Sequence, residues 1–120
     1  MVEPYIYNAE LIKVVDGDTI DVTLDLGFDV KLHKQRCRLA GIDTPESRTK
    51  NLVEKKLGLA AKDRLKELCC GKLKIKSFGK GKYGRILAIP YTEEGEDICE
   101  KLIQEGHARM YDGGKKEPWV

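Results

Sequence analysis

The sequence predicts an all-β barrel, five strands closed on themselves and accompanied by two helices, in a single domain over residues 1–120. Short stretches of alternating apolar and polar residues recur along the chain, separated by Gly-containing turns. One long apolar stripe at helical spacing interrupts them after the third stretch, and a shorter one follows the fifth. No run of about 18 apolar residues occurs, so no membrane-spanning helix is expected.

The first strand is read from Ile6 to Val15, with Leu11 and Ile12 breaking strict alternation. Asp16-Gly17 is a turn signal. Thr19 to Leu24 alternates cleanly and forms the second strand. A turn at Gly27 leads into a long third strand from Val30 to Ile42, whose length and change of phase suggest a bend or bulge. The helical stripe is Val53, Leu57, Ala61, Leu65 and Leu68, ended by Gly71. Leu73, Ile75 and Phe78 mark the fourth strand. The Gly-rich run SFGKGKYG then makes a hairpin loop, and Arg85 to Ile89 is the fifth strand. Asp97 and Glu100 have capping-box spacing and open a short second helix, which Gly106 closes. The tail beyond His107, with GGKKEP inside it, reads as polar and loose. Three strands, helix, two strands, helix is the order of an OB-type Greek-key barrel, with a small α+β sandwich as the rival.

Composition narrows the functional classes. Apolar residues make up 41% and charged residues 35% of the 120 positions, a globular rather than disordered balance. The four cysteines, Cys37, Cys69, Cys70 and Cys99, form no CxxC pair, which argues against a structural zinc site. Free thiols and the absence of a signal-peptide pattern at the start lead to the expectation of a reducing, cytoplasmic setting. A monomer is the default. The net charge is only +2, but it is unevenly spread: residues 51–89 hold eleven Lys/Arg against three Asp/Glu, while the first fifty carry nine acids against seven bases. A basic middle beside an acidic head can face a polyanion while holding a cation.

Chemistry could reside in three places. In AGIDTPES, Asp43 and Glu46 have the spacing of a helix-capping box with Pro45 in the first turn, which would explain both acids structurally. In VVDGDTI and the residue after it, Asp18 enters a strand and Asp21 lies within it; the spacing fails for an EF-hand, and a polar hairpin turn is the simple reading. Yet acids at one strand's start and another's end become neighbours in a closed barrel, and paired carboxylates with a carbonyl suit a hard cation such as calcium or magnesium. Arg38, inside an apolar-patterned strand, needs an anionic partner. Arg85 follows the lysine-bearing loop, where a guanidinium could grip phosphate or simply bridge a sheet edge. Acids, two arginines and a basic rim together suit metal-assisted phosphodiester cleavage.

With VVDGDTI at 14–20, RLAGIDTPES at 38–47, KYGR at 82–85 and LIQEGHA at 102–108 in this order, the chain resembles the staphylococcal nuclease (thermonuclease) family over roughly residues 8 to 111. That resemblance implies a five-stranded OB-type barrel and a calcium-dependent endonuclease acting on DNA and RNA, leaving 5′-OH and 3′-phosphate ends. It implies one calcium ion held by Asp18, Asp43 and the carbonyl of Thr44. Glu46 would be the general base, and Arg38 and Arg85 the phosphate clamps. Lys82 and Tyr83 would contact a terminal phosphate, with Lys80 on the same substrate rim, and Asp21 would be a nearby acid that tunes the site. The rival is a non-catalytic module that binds nucleic acid or protein on the same barrel. Two departures stand out. The loop before KYGR is compact, and Tyr111 is out of phase with the tyrosines that stack on nucleotide in the best-known member. Where that member continues into a third helix, this chain has a short tail, so another segment or a partner is expected to cover the open face.

Overall fold

A computed structural model describes residues 5–81 and 84–119. Five of its strands close into a barrel in the order β1-β2-β3-β6-β5, with β1 at Tyr5–Asp16, β2 at Thr19–Asp25, β3 at Lys31–Leu39, β5 at Lys72–Lys80 and β6 at Ile86–Tyr91. Neighbours are antiparallel except β3 and β6, which run parallel and seal the Greek key. Alternation sets the inner face. Ile20, Val22 and Leu24 from β2, Cys37 and Leu39 from β3, and Leu73 and Ile75 from β5 are buried in one core. The irregular alternation at Leu11 and Ile12 becomes a register shift in β1 against β2, between Leu11 and Lys13.

The expected long third strand is divided. It ends at Leu39, turns through Gly41 at φ 75°, and resumes as a two-residue strand β4, Ile42–Asp43. β4 belongs to a separate small sheet with β7, Arg109–Met110. A left-handed turn at glycine costs little, so the chain leaves the barrel wall there and carries Asp43 with it.

Helix α1 spans Leu52–Leu68 and crosses from β4 to β5. Its buried residues are Gly58, Ala61 and Leu65, whereas Val53 and Leu57, expected on the apolar stripe, are exposed. The buried face runs through Gly58, which packs against the loop before the helix. Helix α2, Ile98–Gln104, begins as expected at Asp97, whose carboxylate accepts the Glu100 N–H at 3.0 Å. Ile98, Cys99 and Leu102 complete the core. Burial pushes the Cys37 and Cys69 thiols up to about 12, and Cys99 also upward, so these cysteines serve as apolar fillers. Among the described residues no helix is long and apolar enough to cross a membrane.

Candidate active site

The site is assembled from a turn, a loop and a helix face. The turn is Asp16-Gly17-Asp18, between β1 and β2. Asp16 accepts the Gly17 N–H at 2.9 Å and the Ser47 hydroxyl at 2.8 Å, tying the turn to the loop after β4. Gly17 is required for a steric reason. A Cβ there would lie 2.9 Å from Thr44 Oγ1 and 3.0 Å from the Ala61 Cβ on α1. The loop is held from its other side by α1. A Cβ on Gly58 would lie 2.4 Å from the Glu46 carbonyl carbon and oxygen, so the helix backbone rests directly on the Glu46-Ser47 peptide. Glu54, on the same helix, accepts the Glu46 N–H at 3.1 Å.

This arrangement decides the first alternative. Asp43 and Glu46 do not cap a helix: α1 starts at Leu52, and its N-cap is Asn51, whose side-chain oxygen accepts from the N–H groups of Val53 and Glu54. Asp43 is a buried strand residue, and Glu46 stands exposed on the loop.

Arg38 joins the segments. Its guanidinium donates to the carbonyls of Leu39 at 2.6 Å and Ile42 at 2.8 Å. The nitrogen that reaches Ile42 also lies 3.4 Å from Asp18 Oδ2, so Asp18 and the peptide leading into Asp43 meet at one guanidinium nitrogen. Both charged groups of this pair are largely buried, which strengthens their attraction over that of a surface pair. Thr19 donates its hydroxyl to the other oxygen of Asp18 at 3.0 Å. Across the sheet, Arg38 is registered with Leu87. Arg85 lies two residues before Leu87, half-buried, and its carbonyl accepts the Gly81 N–H at 2.7 Å.

Other residues of the anticipated site lie elsewhere. Asp21 is not among the side chains gathered around Arg38. It is registered with Arg36 and accepts two hydrogen bonds from it, at 2.9 and 3.1 Å, on the face of β2 opposite Ile20 and Val22. These bonds hold the Asp21 carboxyl below the usual carboxylate range and raise the Arg36 guanidinium. Lys80 is exposed at the end of β5. Lys82 and Tyr83 lie outside the described residues.

The donors suit a hard cation. Asp18 and Asp43 offer carboxylate oxygens, and Thr44 Oγ1 is a buried hydroxyl without a hydrogen-bond partner among the described residues. No group of three or more His, Cys, Asp or Glu that could hold a metal occurs among the described residues. A cation here would therefore rest on two carboxylates completed by neutral oxygens, a set appropriate to calcium or magnesium rather than zinc.

The tail is the largest departure from expectation. Rather than hanging loose, it returns to the site: Trp119 Nε1 donates to Asp43 Oδ2 at 3.2 Å, and Lys116 Nζ lies 3.4 Å from Asp43 Oδ1. Between tail and site is a cleft of about 540 Å³, lined by Asp43, Arg109, Tyr111, Lys115 and Lys116 among others. A concavity of about 300 Å³ around Asn8, Asp25, Lys31 and Lys74 shares no residue with the site. As parts of the site, Asp16, read only as a turn residue, and Ser47, Gly58, Lys116 and Trp119 were not anticipated. The one available signal was the chain's single tryptophan, set in an otherwise polar tail.

The family model described as staphylococcal nuclease homologue matches residues 36–118, a span that begins downstream of the Asp16–Asp18 turn. The SPbeta prophage-derived endonuclease YokF of Bacillus subtilis (strain 168) is 40% identical over 108 residues, covering 86% of this chain and 34% of that protein. The thermonuclease of Staphylococcus intermedius is 38% identical over 101 residues, 81% of this chain and 55% of the relative. An uncharacterized endonuclease of Escherichia coli is 30% identical over 112 residues, 92% and 65% respectively. The chain thus spans from about a third to just under two thirds of the length of these curated relatives.

Proposed function

The chain belongs to the staphylococcal nuclease family, and from that membership together with the site geometry we propose that it is a calcium-dependent endonuclease hydrolysing DNA and RNA. The observation that carries this reading is the convergence at Arg38: one guanidinium nitrogen faces both Asp18 and the peptide entering Asp43, while Glu46 stands exposed on a loop fixed from two sides.

In the proposed reaction Asp18, Asp43 and the carbonyl of Thr44 would hold the calcium ion. When bound, the ion supplies Lewis-acid polarisation of a phosphoryl oxygen. The Glu46 carboxylate takes a proton from water, whose oxygen attacks phosphorus in line. As the new P–O bond forms, the bond from phosphorus to the 5′ oxygen breaks. The departing oxygen takes up a proton, leaving a 5′-OH end and a 3′-phosphate end. Arg38 and Arg85 offset charge developing on the phosphoryl oxygens. Contacts with Asp18 and two carbonyls preset the orientation of Arg38, so little reorganisation is needed when the phosphate arrives. Lys80, Lys82 and Tyr83 would form the substrate rim.

The test is cleavage of heat-denatured DNA with calcium and with excess chelator, comparing the parent with Glu46→Gln. Calcium-dependent cleavage, reduced about 10²- to 10⁴-fold in the variant, is expected. Thermal stability should be nearly unchanged, because α1 engages the Glu46 backbone, through its N–H and its carbonyl, and the exposed carboxylate is what the substitution alters. No cleavage by the folded parent with calcium, magnesium or manganese would refute the enzyme reading and leave a phosphate-binding barrel.

A further inference from the structure

We propose that the segment from Arg109 to Trp119 is an autoinhibitory strap that occupies Asp43 and must release it before a divalent cation binds. The inference rests on the calcium reading above and goes beyond it, since it concerns a contact made by the chain's own tail.

The strap closes on itself. Arg109, in β7, is the registered partner of Asp43. Its guanidinium stacks 3.8 Å from the centre of the Trp119 ring and donates to the carbonyls of Glu117 at 2.9 Å and Pro118 at 3.4 Å. The reversal between the two ends is built by Asp112, which accepts the Gly114 N–H at 2.9 Å, and by the Tyr111 hydroxyl, which donates to the Gly114 carbonyl at 2.8 Å. A compact loop of eleven residues with joined ends results. It presents an ammonium and an indole N–H to the two oxygens of a single carboxylate.

Each oxygen keeps a second lone pair, so the strap and a calcium ion, which sits about 2.3–2.6 Å from its carboxylate ligands, compete for the space and the charge around Asp43. Lys116 Nζ, 3.4 Å from Oδ1, would also place a positive charge beside the ion. In the described conformation the strap thus stands in for part of the cation's charge. Its start is anchored by the β4–β7 pairing and by the Tyr111 N–H, which donates to the Gly41 carbonyl at 2.9 Å, but beyond Tyr111 little holds it down: Lys116 is more than half exposed, Trp119 is only partly buried, and residues 112–118 are exposed. Such segments open locally at small cost. Release of residues 112–119 would widen the cleft and free the Arg109 and Lys116 side chains toward an incoming polyanion.

Because Trp119 is the only tryptophan, its fluorescence reports the strap directly. The 120-residue chain is titrated with calcium chloride while Trp119 emission is followed, and calcium affinity is measured independently by calorimetry. Lys116→Gln is compared with Lys115→Gln, a neighbouring charge with no contact to Asp43. Calcium should shift the emission to the red, with a midpoint matching the calorimetric affinity. Lys116→Gln should bind calcium about 3- to 10-fold more tightly than the parent, while Lys115→Gln should match it. Calcium binding that leaves the emission unmoved, or equal affinities for the two variants, would overturn the strap. Absence of calcium binding in every variant would overturn the calcium reading, and the competition with it.

Discussion

Replacing Gly58 with alanine tests how tightly the proposed catalytic loop is held. The added Cβ would lie 2.4 Å from the Glu46 carbonyl carbon and oxygen and 2.6 Å from the Ser47 nitrogen. Ordinary carbon contacts are about 3.5 Å or more, so helix and loop must separate by about 1 Å. The neighbours are backbone atoms that cannot rotate away, and the loop is anchored on both sides by the Ser47–Asp16 and Glu46–Glu54 hydrogen bonds. Overpacking of this kind costs about 1–3 kcal/mol. Alanine in a helix interior returns up to about 1 kcal/mol relative to glycine. The expected net effect is therefore a loss of roughly 0–2 kcal/mol, read as a lower urea midpoint. Activity should suffer more, because displacing a reacting group by about 1 Å costs on the order of 10²-fold. Ala60→Gly is the control: it lies exposed on the same helix and should lose about 1 kcal/mol with turnover retained. A Gly58→Ala protein that is both more stable and as active as the parent would refute the close approach.

Two further predictions concern hydrogen-bonded side-chain pairs, one at the site and one on the barrel wall. Ser47→Ala removes the 2.8 Å bond to Asp16 from a buried position and should cost about 1 kcal/mol in urea unfolding; an unchanged midpoint would show that the tie contributes nothing. Asp21 gives a pH signature. Its carboxyl is held below the ordinary value of 3.8 by Arg36, so the stability it adds is fully present above that value and is lost as pH falls through the lower folded-state value. The difference in urea midpoint between the parent and Asp21→Asn should therefore shrink from about pH 6 to about pH 3, and a constant difference would contradict the pairing.

Much of the barrel was legible from residue order. Alternation in Thr19–Leu24 placed Ile20 and Val22 inside, the break at Leu11 marked the bulge, and Asp97 announced the second helix. The Asp43–Glu46 spacing was ambiguous, because a capping box and a strand-end acid followed by a loop share one pattern. Asn51, eight residues beyond Asp43, supplied a competing cap that local reading did not weigh. Asp21 showed the opposite problem. Its nearness in sequence to Asp18 suggested a shared site, yet its place within β2 turns it toward Arg36.

By itself the sequence determined the strand and helix periods, the buried apolar face of each strand, and the residue types able to hold a cation or a phosphate. Those are properties of neighbours along the chain, where periods of 2 and 3.6 act. Only the tertiary structure decided which groups meet. The β2–β3 register, which sets Thr19 beside Arg38, and the turn at Gly41 bring Asp18 and the Ile42–Asp43 peptide to one nitrogen of Arg38, and the glycines at 17 and 58 let a turn, a loop and a helix approach closely enough to fix Glu46. It also decided the fate of the tail. No local pattern links Trp119 to Asp43, 76 positions earlier; that contact exists because β7 pairs with β4 and carries the chain's last residues back over the acid.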